Sequence, residues 1–324
     1  MQVGLFEQGW DRITEQSREN RFTGQGRERR GLAPPRGLVL SARPMAIHYE
    51  KSEHIVTITI DRPEARNSLD LEHFGQLADS WVRYRDDDDA FVAILTGVGD
   101  VYCVGADLKK FITFVTDHVE ELAAGGAKEK VAGSQYTMAH SLVAVLRDGA
   151  TLPDGSEFKL YKPVIAAING ICAAGGMEMM WNTDLRVVAD DAWFQLAEPR
   201  RGLFPGGGST VHSARQLSWC NAMEVLLLAD RITPERALAM GLVNAVVPRD
   251  QVMAKAREYA RTICLNGPLA VRACKQSAKE STFLGLTQAL ENEMSHSAAV
   301  FMSDDAKEGI AAFKAKRPPH WQGR

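Results

Sequence analysis

Two glycine-containing turns and two glutamates are the residues of this chain whose types and spacing could do chemistry. The turns are Cys103-Val104-Gly105-Ala106-Asp107-Leu108 and Ala173-Ala174-Gly175-Gly176-Met177-Glu178. Each follows an apolar, strand-like run and opens a helical pattern, so each can aim free backbone N–H groups at one point. If the turns lay side by side, the N–H groups of Ala106 and Gly175 could donate to one carbonyl oxygen and stabilise negative charge developing there. Taken singly, each reads first as an ordinary strand-to-helix connection, and neither matches a phosphate loop or a dinucleotide fingerprint. Glu178 falls in the first turn of a helix, where the dipole favours a carboxylate, so a capping acid is the plain alternative. Glu198 follows the apolar strand Ala192 to Ala197, where the alternative is a surface charge at a strand end. Near an oxyanion-stabilising site, a pair of carboxylates is what water addition needs: one activates water and the other delivers a proton to carbon.

The elements that must position these residues alternate in type. Val56, Ile58 and Ile60 share one face of a strand; Asn67 or Ser68 is expected to cap a helix running to about Tyr84; Phe91 to Thr96 reads as a buried strand ended by Gly97. Another strand, Pro163 to Ile168, leads through Asn169-Gly170 and Gly175-Gly176 into a second helix, and Leu185 to Ala189 and Trp193 to Leu196 read as further strands. This is an α/β core. After about residue 207 the pattern is expected to be helices only. Thr233-Pro234 reads as an N-cap with proline at the first helical position, Gly241 closes that helix, and 248–265, 268–280, 285–300 and 304–316 carry helical spacing. The acidic run Asp86 to Asp89 reads as a solvated helix-to-strand turn, and Ser209 and His212 read as helix-start residues because no orienting acid or nucleophile elbow accompanies them.

Composition narrows the function classes. With 324 residues and 45% hydrophobic content the chain can bury one large core or two modest ones, and its apolar runs fall far short of the roughly 20 residues a bilayer span needs. Cys103, Cys172, Cys220, Cys264 and Cys274 stand singly, without metal-ligand spacing. They suggest neither a zinc site nor a disulfide framework, and are expected to be small buried hydrophobes in a reducing, cytoplasmic setting. Residues 1–44 carry eight Arg and no Lys against five acids, a charge of +3, which leaves −3 − 3 = −6 for the remainder. A net acidic body argues against a nucleic-acid partner. The first 44 residues, polar and punctuated by Gly and Pro, are expected to be a flexible extension; their acids speak against a mitochondrial presequence.

From Met45 onward the chain resembles the enoyl-CoA hydratase/isomerase (crotonase) superfamily. The resemblance rests on Asp61-Arg62-Pro63-Glu64-Ala65-Arg66-Asn67-Ser68-Leu69, on Ala93 to Gly97 with Cys103 to Leu108, and on Lys162 to Gly170. It extends through Glu198 with Gly202, Pro205 and Gly206, then Gly241-Leu242-Val243, then Asp305 to Gly309 and Arg317. The resemblance implies a spiral of ββα units over 45–245, followed by a helical region over 246–324 that mediates assembly into a homotrimer or hexamer. It also implies an acyl-CoA thioester substrate, with coenzyme A part of the substrate and no separate cofactor or metal. Ala106 and Gly175 match the family's two oxyanion-hole residues, and Glu178 and Glu198 match the two glutamates of its hydratases. Ala65, Asp107, Leu108, Lys109, Gly206 and, from a neighbouring subunit, Lys316 match positions that contact substrate or coenzyme A.

Retention of both glutamates favours hydration or dehydration. The resemblance implies Glu178 activating water for attack at C3 and Glu198 exchanging the proton at C2; an enoyl-CoA isomerase or a dehydratase of a specialised acyl-CoA is the alternative. The chain departs from the family at Met177 and Met179-Met180-Trp181, which are bulkier than usual, and at Leu196-Ala197, which replaces a common Gln-Pro. The segment from Thr113 to Tyr161 is longer than usual, with turn signals at Asp148-Gly149 and Asp154-Gly155. Relatives often draw substrate-facing residues from this long segment, so the resemblance implies no particular acyl-group or chain-length preference.

Overall fold

The computed structural model describes residues 46–118, 120, 134, 136–145, 148–152 and 155–324. The expected extension over 1–44 lies outside these residues, as does Asp154 of one expected turn. Strand β2 (Ile55–Ile60) buries Val56, Ile58 and Ile60 completely, as their period of two requires. It pairs antiparallel with β1 (Ile47–Ser52) and parallel with β3 (Val92–Gly97). β3 is buried at every position, the mark of a strand covered on both faces. Parallel pairing continues through β5 (Val164–Ile168), β7 (Leu185–Ala189) and β9 (Ala245–Val247), giving a six-stranded sheet in the order β1-β2-β3-β5-β7-β9.

After β3, β5 and β7 the chain makes a second, shorter strand each time: β4 (Val101–Cys103), β6 (Ile171–Ala173) and β8 (Phe194–Gln195). These three pair in parallel as a separate sheet. Each turn of the chain thus contributes one strand to each sheet, which is the expected spiral. Its consequence is positional: the segments leaving β4, β6 and β8 emerge side by side, and they carry Ala106, Gly175 with Glu178, and Glu198.

Four details differ from the sequence-based expectation. Helix α1 (Leu71–Asp86) is capped by Asp70, whose side chain accepts from His73 N, and not by Asn67 or Ser68. Asn67 is fully buried instead. Its Oδ1 accepts from Arg62 N, and its Nδ2 donates to the carbonyls of Val98 and Val101, tying the β2–α1 connection to the β3–β4 turn. The helices-only expectation after residue 207 fails at β9, a strand of three residues, too short for periodicity to reveal. The cysteines divide: Cys103 and Cys172 are buried, Cys264 is half-buried, and Cys220 and Cys274 lie exposed on helices. Asp87 and Asp89 do more than face water, since both take the Lys51 ammonium.

The Thr233 cap, the Gly241 stop with its positive φ, and the helix start at Ser209 stand as read. Helix α2 (Val252–Cys264) packs across the large sheet. Helices α3 (Pro268–Ser281), α4 (Leu286–Phe301) and α5 (Asp304–Ala315) follow. Lys275 pins α3 to the sheet, reaching Asp184 Oδ2 at 2.7 Å and the Lys162 carbonyl at 2.9 Å. Helix α4 buries none of its residues and exposes Leu286, Leu290, Met294 and Phe301. A groove of about 870 Å³ runs between α3 and α4, lined by alanine, serine and leucine side chains and Cys274.

Candidate active site

The two glycine turns lie against each other. A Cβ built on Gly105 would fall 2.4 Å from Gly175 N, and one built on Gly175 would fall 3.3 Å from Ala106 N. At position 105 only a residue without a side chain allows that approach, and Gly105 also adopts φ +92, which glycine accepts freely. Among the described residues, the backbone bonds around each turn leave the relevant donors unspent. Leu69 N donates to Gly105 O and Asp107 N donates to Leu69 O, both at 2.8 Å, so this parallel bridge turns the intervening Ala106 N–H the other way. Gly175 is the first residue of the helix Gly175–Trp181, a position whose N–H has no intrahelical acceptor. Ala174 enters that helix at φ +49, ψ −125, a conformation that costs an alanine about 1–3 kcal/mol and is characteristic of functional turns. Its N–H is held at 2.9 Å by Gln195 O, which ties the turn to β8.

Glu178 sits in the first turn of the same helix and is 8% exposed. Its Oε1 accepts from Gly207 N at 2.6 Å. Gly207 belongs to the run Gly206-Gly207-Gly208 before helix Ser209–Gln216, and a Cβ there would lie 2.4 Å from Glu178 Oε2. The contact orients the carboxylate while the helix dipole favours its charge. Gly207 is a site residue that reading by motif missed, since Gly206 is the one that matches. The available signal was three consecutive glycines ahead of a helix, of which only Gly208 has a positive φ.

Glu198 arrives by the neighbouring strand. β6 and β8 are paired with Ala173 opposite Gln195, so Gly175 and Glu198 follow the C-terminal ends of adjacent strands. Glu198 opens the short 3₁₀ turn Pro199–Arg201, and its carbonyl accepts from Arg201 N and Leu203 N. One of its carboxyl oxygens, Oε2, is buried without a hydrogen-bond partner among the described residues. Burial raises its pKa above the ordinary carboxylate value, opposed by its own backbone and by the Arg201 charge. A half-buried carboxyl with one buried, unspent oxygen and a raised pKa is suited to holding and delivering a proton.

The remaining candidates lie at several places in the fold. Ala65 ends a 3₁₀ turn and accepts the Ser68 N–H, one residue from the Leu69 that brackets Ala106. Leu108 and Lys109 are exposed at the start of the π-helical turn Leu108–Ile112. Gly206 is exposed and adjoins Gly207. Asp107 faces inward: its carboxylate takes Lys109 N, Lys110 N and the Arg62 guanidinium. Lys316 stands exposed at the C-cap of α5. The expected serine and histidine at a helix start are buried or half-buried, and burial among cations lowers the His212 pKa to about 4.

The family described as enoyl-CoA hydratase/isomerase matches residues 50–145 and 155–324. The break in that match falls within the long 113–161 segment. The chain is 36% identical over 280 residues to the enoyl-CoA hydratase EchA19 of Mycobacterium tuberculosis, covering 85% of this chain and 96% of that protein. It is 35% identical over 284 residues to the (E)-benzylidenesuccinyl-CoA hydratase of Thauera aromatica, covering 86% of this chain and all of that one. The crystal structure of an enoyl-CoA hydratase from Bacillus anthracis superposes with a TM-score of 0.74 at 30% identity, over 86% of this chain and all of that one.

Proposed function

Because this chain belongs to the enoyl-CoA hydratase/isomerase family, we propose that it adds water to a 2-enoyl-CoA, or removes it from a 3-hydroxyacyl-CoA, with Glu178 and Glu198 as the acid–base pair and the Ala106 and Gly175 N–H groups as the oxyanion hole. The observation that carries the reading is the contact of the two turns at Gly105 and Gly175, which puts two unspent N–H donors beside one another. Donors aimed at the thioester oxygen favour the enolate-like charge of the transition state over the neutral ground state, and that difference accelerates the reaction.

In this mechanism Glu178, oriented by Gly207, takes a proton from water as it attacks C3. Glu198, whose half-buried carboxyl retains its proton to higher pH than an exposed one, supplies the proton at C2. The two peptide N–H groups hold the thioester oxygen throughout. Dehydration runs the same steps backward. No separate cofactor enters, since coenzyme A arrives as part of the substrate; Lys109, exposed shortly after Ala106, and the backbone near Ala65 would contact it. Assembly into a homotrimer or hexamer is part of the proposal, supported by the exposed apolar residues of α4 and by Phe313, which is 85% exposed. In the assembly Lys316 would reach a neighbour's site. No helix among the described residues is long and apolar enough to cross a membrane, and the unpaired cysteines favour a cytoplasmic location.

The test is steady-state kinetics with product analysis on a 2-enoyl-CoA and a 3-enoyl-CoA. Hydration of the first by the wild type, reduced about 10²- to 10⁴-fold in both Glu178→Gln and Glu198→Gln, is the expected result. Near-wild-type turnover in either variant ends the two-glutamate assignment, and conversion of the 3-enoyl-CoA in place of hydration makes the enzyme an isomerase.

A further inference from the structure

Asp107 immediately follows the Ala106 donor, yet its side chain is 13% exposed and turned into the protein. Oδ1 accepts from Lys109 N at 3.0 Å and Lys110 N at 3.2 Å, capping the π-helical turn. Oδ2 stands 3.1 Å from Arg62 Nη1. The same Nη1 donates to the Ser68 carbonyl at 2.8 Å, and Arg62 as a residue is 8% exposed. Glu64 and Asp70 lie farther from the guanidinium, at 3.5 and 3.7 Å. A guanidinium buried to this degree is costly unless its partners are well placed, so the pair is a rigid joint. It joins the two segments whose backbones bracket Ala106: Ser68-Leu69 on one side and Asp107 on the other.

We propose that the Arg62–Asp107 ion pair is a positioning device for the Ala106 N–H, so that Asp107 acts on the reaction by fixing the direction of that donor and not by touching coenzyme A. The inference rests on the oxyanion-hole reading above. A donor bonded to developing charge must be placed closely, and displacements of about 1 Å in such groups cost on the order of 10²-fold in rate. Releasing one of several restraints on Ala106 falls short of removing the donor outright, which costs about 10²- to 10³-fold.

Asp107→Asn separates the two roles. Its side-chain oxygen can still cap Lys109 N and Lys110 N, while the charge facing Arg62 is gone. With a 2-enoyl-CoA substrate, kcat is expected to fall about 10- to 100-fold with KM within about twofold of wild type. Arg62→Lys, which keeps the charge but loses the planar fork, is expected to show the same split to a smaller degree, and the double variant to be no slower than Asp107→Asn by more than about twofold. If Asp107→Asn does not fold, Arg62→Lys carries the same test. A raised KM with unchanged kcat identifies Asp107 as a coenzyme A contact and overturns the inference, as does wild-type behaviour in both parameters. Glu178→Gln assayed in parallel keeps the readings apart. If it is inactive while Asp107→Asn is normal, only the positioning role fails; if it turns over like wild type, the active-site reading fails and takes this inference with it.

Discussion

Gly207→Ala isolates the orientation of Glu178 from every other property of the site. A Cβ at residue 207 would lie 2.4 Å from Glu178 Oε2, 2.6 Å from its Cδ and 3.0 Å from its Cβ. Non-bonded carbon and oxygen atoms settle at roughly 3.5 Å, so the carboxylate or the loop must yield by about 1 Å. Gly207 is not among the glycines with positive φ, so alanine brings no backbone penalty of its own. Either adjustment stretches or breaks the 2.6 Å bond from Gly207 N to Oε1. If Glu178 is the base proposed above, displacing it by that distance is worth about 10²-fold in rate, and the crowding costs about 1–3 kcal/mol in stability. The assay follows consumption of a 2-enoyl-CoA under saturating conditions, with a thermal unfolding curve on the same sample. The expected result is a folded protein with kcat about 10²-fold lower and KM little changed. A folded variant with kcat within about threefold of wild type would refute the claim that Gly207 aims Glu178.

Gly105→Ala should be the more severe of the glycine substitutions, because φ is +92 there and the new Cβ would sit 2.4 Å from Gly175 N; loss of one oxyanion donor predicts about 10²- to 10³-fold in kcat, read by the same assay. His212 predicts a stability slope. Its pKa is lowered from 6.5 to about 4, first by burial and then by the charges of Lys279, Arg215 and Arg186. A depressed folded value means that its contribution is present above about pH 6.5 and lost as pH falls toward 4. His212→Gln should therefore flatten denaturant-measured stability across that window by about 2 kcal/mol, and an unchanged slope would show the ring to be in contact with water. Leu290→Glu, at a position 53% exposed on α4, should reduce the mass seen by light scattering toward that of one chain while leaving the monomer fold intact by circular dichroism. A wild type already monomeric at micromolar concentration would remove the assembly from the proposal.

Much of the fold was legible because long, strongly periodic segments leave little choice. Val56, Ile58 and Ile60 could only share a buried face, and the unbroken run Val92 to Leu95 could only be covered on both sides. The failures come from places where a side chain has two possible employers. Asn67 is a good helix cap by residue type, but burial at zero exposure gives its amide three backbone partners that a cap position could not. β9 is strand by position alone: Val187 to Ala189 offer it an unpaired edge, and three residues suffice to fill it.

The candidate site was legible as composition and illegible as geometry, for a reason particular to this topology. Ala106 and Gly175 are far apart in the chain, and nothing in either turn states which neighbour it will meet. Their meeting follows from the small sheet, where Cys103 pairs with Cys172 and Cys172 with Phe194. Three strands of two or three residues each are too short to be predicted with any register, yet that register decides whether the two N–H groups point at one oxygen. The glycines then become interpretable. Gly105 and Gly176 lack side chains because each faces backbone of the other turn or strand, Gly175 N in one case and Cys103 O in the other, at distances no Cβ tolerates. The same reasoning assigns Gly207, whose missing side chain leaves room for a carboxylate. Glycine beside a buried acid is thus informative about the acid: the space it leaves empty is filled here by the Glu178 carboxylate.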